Sequence, residues 1–301
     1  MTIHTLTLGQ TEWLDIVNPT EREIDEIIEK YGFHELDREA IVEEYQLARV
    51  DTYDDYIFVV LHFPKYDTKT RRYLLNEFDI FISRNYLINF RYYNTSSVDA
   101  IMDRYNDGKH GKDMVNTGYM LYDLIDSMLD KTLKILNRFG RDLRSLEANI
   151  FRDVGEETIS EIMIRKRNMI ALKHMISPQI HVLKVLELRM NALFKDDEVE
   201  VYFENLEDKV EKIYSEIQLL QENIDSMEDT LKSIFDMQTN NTIKYLTFFS
   251  AFMLPLTLIT SFFGMNIENV PFHDNIVYAS VVITAVVMGV LVYVLKRWKK
   301  L

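Results

Sequence analysis

Residues 245–267 read YLTFFSAFMLPLTLITSFFGMNI, without one charged side chain. Crossing about 30 Å of hydrocarbon takes about 20 apolar residues in a helix, and this run is long enough. A second uncharged run, Asn275 to Leu295, reads NIVYASVVITAVVMGVLVYVL and meets the same requirement. The pair predicts two C-terminal transmembrane helices. The start of the chain, MTIHTLTLGQTEWLD, has neither the basic n-region nor the long apolar stretch of a signal peptide, so the residues ahead of the first span are expected to stay on the cytoplasmic side. After the second span comes KRWKK, with Lys296, Arg297, Lys299 and Lys300, whereas the loop between the spans carries Glu268 and Asp274 and no Lys or Arg. By the positive-inside tendency both termini face the cytoplasm and the short loop faces outward, in a multi-pass protein of the plasma (inner) membrane.

Composition excludes several classes. The 301 residues carry a formal net charge of −14 and no cysteine. There is therefore no disulfide framework, thiolate metal site or cysteine nucleophile. Nine Gly and five Pro are too few for a collagen-like or low-complexity chain. Four basic and two acidic side chains in 245–301 leave 30 basic against 46 acidic, net −16, on residues 1–244. Such a surface repels nucleic acid, and cations are its natural partners.

The soluble part reads as two segments. Residues 1–112 are expected to form a mixed α/β domain. Ile3–Leu8 alternates as a strand. Thr20 with Glu23 forms a capping box ahead of Ile24, Ile27, Ile28 and Tyr31, and Gly32 closes that helix. Tyr56–Phe63 reads as a buried strand, and EFDIFIS with YLINF as a hairpin. The glycine-containing stretch Asp107–Gly118 marks a boundary, after which 113–244 is expected to be a helical stalk domain and 245–301 the transmembrane domain. A broad apolar face runs from Leu121 through Leu124, Met128, Ile135, Leu136 and Phe139 to Ile150. A further helix covers about 157–194, with Pro178 expected to bend it. From Leu206 the apolar positions run Val210, Ile213, Ile217, Leu220, Ile224, Met227, Leu231 and Ile234, in alternating steps of four and three. An unbroken seam of this kind predicts a coiled-coil stalk in which copies of the helix pack on one another. A helix of an ordinary intrachain bundle is the competing reading.

Neither Pro nor Gly interrupts the chain between this seam and Pro255, so the stalk is expected to run straight into the first span. Extending the seam's register gives Gln238 and Asn241, and a 3–4 spacing taken from Asn240 into the membrane gives Asn240, Ile243, Thr247, Ser250, Leu254, Thr257 and Ser261, of which five are polar. A ring of such helices would line a narrow path of hydroxyls with apolar constrictions at Ile243 and Leu254. Small hydroxylated residues also occur where membrane helices pack, which is the alternative reading of the stripe.

Directly after this span come Gly264, Met265 and Asn266. With TNNTIKYLTFFSAFMLPLTLITSFFGMN (Thr239–Asn266), YFENLEDKVEKI (Tyr202–Ile213) and the basic KRWKKL end, the chain resembles the CorA family of divalent-cation transport proteins, the two-TM-GxN type. The resemblance implies a homopentameric funnel and a channel-like transporter for Mg²⁺, with Co²⁺ and Ni²⁺ as further ions. It also implies a selectivity filter of Gly264, Met265 and Asn266, with Glu268 and Asp274 concentrating cations at the mouth. Mg²⁺ sheds water reluctantly and favours oxygen ligands, so Asn266 carbonyls would grip a hydrated ion, and Gly264 would let the chain turn after the helix.

The resemblance further implies gating by cytoplasmic divalent ions that bridge acidic groups, with Asp51, Asp54, Asp55, Glu204, Glu207 and Asp208 as candidates. Asn205 stands where the family often has an Asp. The basic tail would form a collar around the cytoplasmic end of the pore. No phosphate-binding motif is present, so transport is expected to run down the membrane potential, without an organic cofactor. His4, His34, His62, His110, His174, His181 and His273 show no ligand cluster in the sequence, and no catalytic constellation is found. A zinc-carrying branch of the family shares GMN and remains an alternative. So does a membrane-tethered sensor or scaffold, while a metal-dependent hydrolase lacks a compact ligand motif.

Overall fold

The computed structural model describes residues 2–43, 46–109, 116–150, 155–195, 197–265 and 274–298. Contacts divide the chain into two units, Met1–Glu228 and Asp229–Leu301.

The first unit is built on a six-stranded sheet in the order β1-β2-β6-β5-β4-β3. The strands are β1 (Thr2–Leu8), β2 (Thr11–Val17), β3 (Arg49–Thr52), β4 (Ile57–Asp67), β5 (Arg72–Ile82) and β6 (Tyr86–Arg91). All pairings are antiparallel except β2 with β6. On one face Leu14, Ile16, Phe58, Val60, Phe81, Ile88 and Phe90 pack beneath helices α1 (Glu21–Tyr31) and α2 (Glu35–Val42). The Phe33 ring, between those helices, stacks on Phe81 at 3.9 Å. The capping box forms as expected, with the Glu23 carboxylate accepting from the Thr20 amide at 2.7 Å. Gly32 ends α1 at φ 70°, a left-handed conformation that side chains with a Cβ resist.

The opposite face is covered by α3 (Ser96–Asn106), α4 (Thr117–Ile150) and α5 (Glu156–Phe194). Strand β2 escaped the sequence reading because Asp15 interrupts its apolar run. The structure supplies the reason for that charge: both Asp15 oxygens accept from the Arg91 guanidinium at 2.7 Å, and neither residue is exposed to solvent. Asn89 donates to the same carboxylate and accepts from the Trp13 indole. On the other edge, β3 stops at Arg49, opposite Val60. The next outward backbone groups of β4, at His62, are met by Gln179 of α5, which donates to the carbonyl at 2.5 Å.

Helix α6 (Asp197–Phe263) is continuous through Pro255, as the sequence predicts. From Leu206 to Met227 its seam follows the competing reading, a helix of an intrachain bundle. Leu206, Val210, Ile213, Ile217, Leu220, Ile224 and Met227 are all buried within a single chain. Leu220 comes so close to α4 that a Cβ on Gly140 would stand 3.3 Å from its methyl. The flanks are tied by Lys209 to Asp130 of α4 at 2.8 Å, and by Lys166 and Lys184 of α5 to Glu228 and Glu207 at 2.5 and 3.2 Å. The 3–4 repeat thus serves an intrachain helical layer, because α4 and α5 offer the apolar faces that a second copy would otherwise supply.

In the second unit, α6 runs on to Phe263 and α7 spans Asp274–Trp298. Among the described residues, α6 contains a window long and apolar enough to cross a membrane, and Tyr278–Val287 of α7 is a shorter apolar stretch.

Candidate ion pathway and acidic sites

All seven residues of the polar stripe lie on α6 and, apart from the partly covered Ser250, are exposed in the chain. Large apolar side chains between them, including Phe248, Phe249, Phe252 and Leu256, are exposed as well. That surface suits hydrocarbon on one side and a polar environment on the other. The hydroxyls have a defined polarity. Thr247 donates to the Ile243 carbonyl at 2.8 Å and Thr257 to that of Met253 at 2.9 Å. With its proton committed to the helix, each oxygen has only lone pairs left to offer outward, the arrangement a cation or its hydration shell requires.

At the end of the helix the Gly264 amide donates to the Thr260 carbonyl at 2.9 Å. A Cβ on Gly264 would stand 3.0 Å from that same oxygen, so the close approach itself calls for glycine. The reason differs from the sharp turn expected from the sequence. Met265 follows and is exposed. Asn266 and Glu268 lie outside the described residues, as do Lys299 and Lys300. Asp274 is the first residue of α7, which also carries Lys296 and Arg297.

The regulatory candidates fall into two places. Asp51 on β3 is engaged by Arg49 at 2.7 Å, while Asp54 and Asp55 are exposed in the turn closed by the Tyr53 amide and the Tyr56 carbonyl. Glu204, Asn205, Glu207 and Asp208 lie near the start of α6. Glu207 pairs with Lys184, and Asn205 faces the Tyr122 hydroxyl at 3.5 Å. Among the described residues no hydrogen bond or ion pair joins one group to the other.

The structure adds acids that the sequence reading did not select. Asp123, Asp126 and Asp130 line a cavity of about 430 Å³ with Ser96, Ser97 and Arg104. Arg104 holds Asp123 at 2.6 Å, and Lys209 bridges Asp126 and Asp130. Their own 3–4 spacing along α4 was the available signal. Glu187 joins Glu207, and burial, reinforced by that neighbour, raises its carboxyl above the ordinary range. Asp37, beneath the β3–β4 turn, accepts from the phenols of Tyr53 and Tyr56 at 2.9 and 2.8 Å, and burial raises its carboxyl too.

Among the described residues His4, Asp15 and Asp99 bring three potential ligand atoms within 4.8 Å of one another. Arg91 contacts both carboxylates there, so the place of a cation is taken by a guanidinium.

The sequence profile of the CorA-like Mg²⁺ transporter protein family matches residues 9–297. A cobalt/magnesium transport protein CorA of Thermotoga maritima is 26% identical over 294 residues, covering 95% of this chain and 83% of its own. The zinc transport protein ZntB of Yersinia enterocolitica is 20% identical, with 85% and 78% of the two chains covered. The fold is that of the complete CorA magnesium transporter structure from Methanocaldococcus jannaschii, with a TM-score of 0.82 at 19% identity over 97% of this chain and 92% of that one. With its sheet domain, its long apolar helix and a family match over nearly its whole length, this chain belongs to the CorA-like Mg²⁺ transporter family, a divalent-cation transporter rather than an enzyme.

Proposed function

We propose that the chain forms a channel-like path for hydrated Mg²⁺, with Co²⁺ and Ni²⁺ as further cargo. The observation that carries this reading is the stripe on α6 whose threonine protons are spent on the helix backbone, leaving acceptor oxygens. In five copies around an axis, a homopentamer as the CorA resemblance implies, Asn240, Thr247, Ser250, Thr257 and Ser261 line the path. Ile243 and Leu254 narrow it. Gly264, Met265 and Asn266 form the filter, where neutral oxygens hold an ion that keeps its water. Glu268 and Asp274 raise the cation concentration outside.

Both termini are cytoplasmic in this reading, and α6 and α7 span the plasma membrane. A potential of 100 mV contributes about 4.6 kcal/mol to the inward passage of a divalent ion, so no other energy source is needed. Cytoplasmic metal at Asp51, Asp54 and Asp55 of one subunit, or at Glu204, Asn205, Glu207 and Asp208, closes the pore. Lys296, Arg297, Lys299 and Lys300 form a collar at its inner end. The three functional parts are 1–112, 113–244 and 245–301.

The test is ion influx into liposomes holding a Mg²⁺-sensitive dye, comparing the native chain with Asn266→Ala and running Zn²⁺ in parallel. Mg²⁺ influx that disappears in the variant is the expected result. Zn²⁺ influx without Mg²⁺ influx assigns zinc as the cargo, the reading to which similarity to ZntB points. Absence of both fluxes leaves a membrane-tethered sensor in place of a pore.

A further inference from the structure

The α/β unit holds a second concentration of metal-binding chemistry, distant in sequence from the stripe and the filter. His62 of β4 and Glu77 of β5 are directly opposed across the antiparallel ladder, and Asp79 follows two residues later on the same face as Glu77. All three are more than nine-tenths buried, Asp79 completely. Among the described residues His62 Nε2, both Glu77 oxygens and both Asp79 oxygens have no hydrogen-bond partner. The cation acting on Asp79 is Arg49, and its guanidinium is engaged by Asp51 at 2.7 Å and Gln46 at 3.0 Å.

Five buried donor atoms without partners are a costly arrangement unless something neutralises them. His62 Nε2 and Glu77 Oε2 stand 3.5 Å apart. This is long for a hydrogen bond, but it is the spacing of two ligands each about 2.0–2.2 Å from a shared tetrahedral ion. Two donors at i and i+2 on one strand, with a third opposite one of them on the next, form a triangle on one sheet face. Asp79 lies one register step from the His62–Glu77 pair, and a change of its rotamer would bring a carboxylate oxygen to the third corner. Gln179 fixes the His62 backbone from the far side of the sheet edge, so the imidazole is presented from a rigid strand.

We propose that His62, Glu77 and Asp79 form a binding site for a borderline divalent cation, with Zn²⁺ or Co²⁺ favoured over Mg²⁺. One imidazole and two carboxylates suit those ions, whereas Mg²⁺ prefers an all-oxygen octahedron that keeps its water.

Co²⁺ added to the full-length chain in detergent tests this by visible absorption. Tetrahedral imidazole–carboxylate Co²⁺ absorbs strongly, while hydrated Co²⁺ in a pore is nearly colourless. The expected result is a band saturating at one equivalent per chain, displaced by Zn²⁺ and not by a tenfold excess of Mg²⁺. It should weaken at least tenfold in Glu77→Gln and Asp79→Asn and persist in Asn266→Ala, which separates this site from the proposed filter. Both neutral variants keep side-chain shape and remove a buried charge, so they should fold, which circular dichroism checks. As a measurement free of substitution, X-ray absorption of the native chain carrying one equivalent of zinc should show one imidazole among oxygens. An all-oxygen shell, no band, or a band unchanged in Glu77→Gln overturns the proposal.

Discussion

Two stretches of α6 share one spacing and meet opposite fates. Between Leu206 and Met227 every third or fourth residue is aliphatic and buried, Ile217 completely. Between Asn240 and Ser261 the same spacing selects mostly hydroxyls and amide, and even its apolar members are open, Leu254 being 68% exposed. Period alone therefore says that a helix has one special face, while residue chemistry says what that face is for. An aliphatic stripe buries itself on the nearest apolar surface, here α4 and α5 of the same chain. A hydroxyl stripe gains little from such burial and is left for water, ions or another membrane helix.

Exchanging chemistry between the two stretches tests this contrast. The largest effect is expected from Thr247→Ile combined with Thr257→Leu, which removes outward-facing oxygens and widens the apolar constriction. Mg²⁺ influx should fall at least tenfold while the thermal unfolding of the first unit stays put. Flux unchanged by the pair would mean that the stripe is a packing seam. In the other stretch, Ile217→Ala should cost about 2–5 kcal/mol through the cavity it leaves, lowering the unfolding midpoint by roughly 5 °C or more. An unmoved midpoint would break the assignment of that seam to the intrachain layer.

Gly264→Ala lies at the end of the exposed stretch and should act more mildly. Its Cβ meets the Thr260 carbonyl at 3.0 Å, so the last turn must shift by a few tenths of an ångström, and a reduction of flux smaller than that of Asn266→Ala is expected in the same liposomes. The smallest effect concerns the first unit alone. Arg71, and then Arg165, hold the Glu161 carboxyl at about 2, below its ordinary 4.5. Because the folded value is depressed, that stabilisation is full above pH 4.5 and is lost as the pH falls through about 2. The midpoint difference between the native chain and Glu161→Gln should therefore shrink on acidification across this window, and a constant difference would exclude the linkage.

Much of the fold was legible in the residues. The capping box at Thr20, the closing Gly32, the β5–β6 hairpin and the three long helices follow from local rules, and the structure contains each of them. Strand β2 was not legible, because Asp15 reads as a surface charge until Arg91, 76 positions later, is placed against it. Acids were hard to rank for the same reason. The 3–4 spacing of Asp126 and Asp130 places them on one helix face but does not rank them above Glu204 or Asp208, and the difference is Lys209, reached only when α4 and α6 pack. The histidines looked unclustered because His62 and Glu77 are joined by a strand pairing, not by a spacing.

By itself the sequence determined the two uncharged runs, the acidic soluble part, the helical periods and the oxygen-rich stripe that ends in Gly264-Met265-Asn266. These properties depend on residues within a few turns of one another, where length, charge and spacing act directly. Only the tertiary structure decided who occupies the α6 seam, which carboxylates are already neutralised by an internal lysine or arginine, and that three buried donors stand together on β4 and β5. Each of those is a question of which distant surface is nearest. That is set by the packing of the whole unit, since a heptad or a carboxylate is satisfied equally well by its own chain or by another partner.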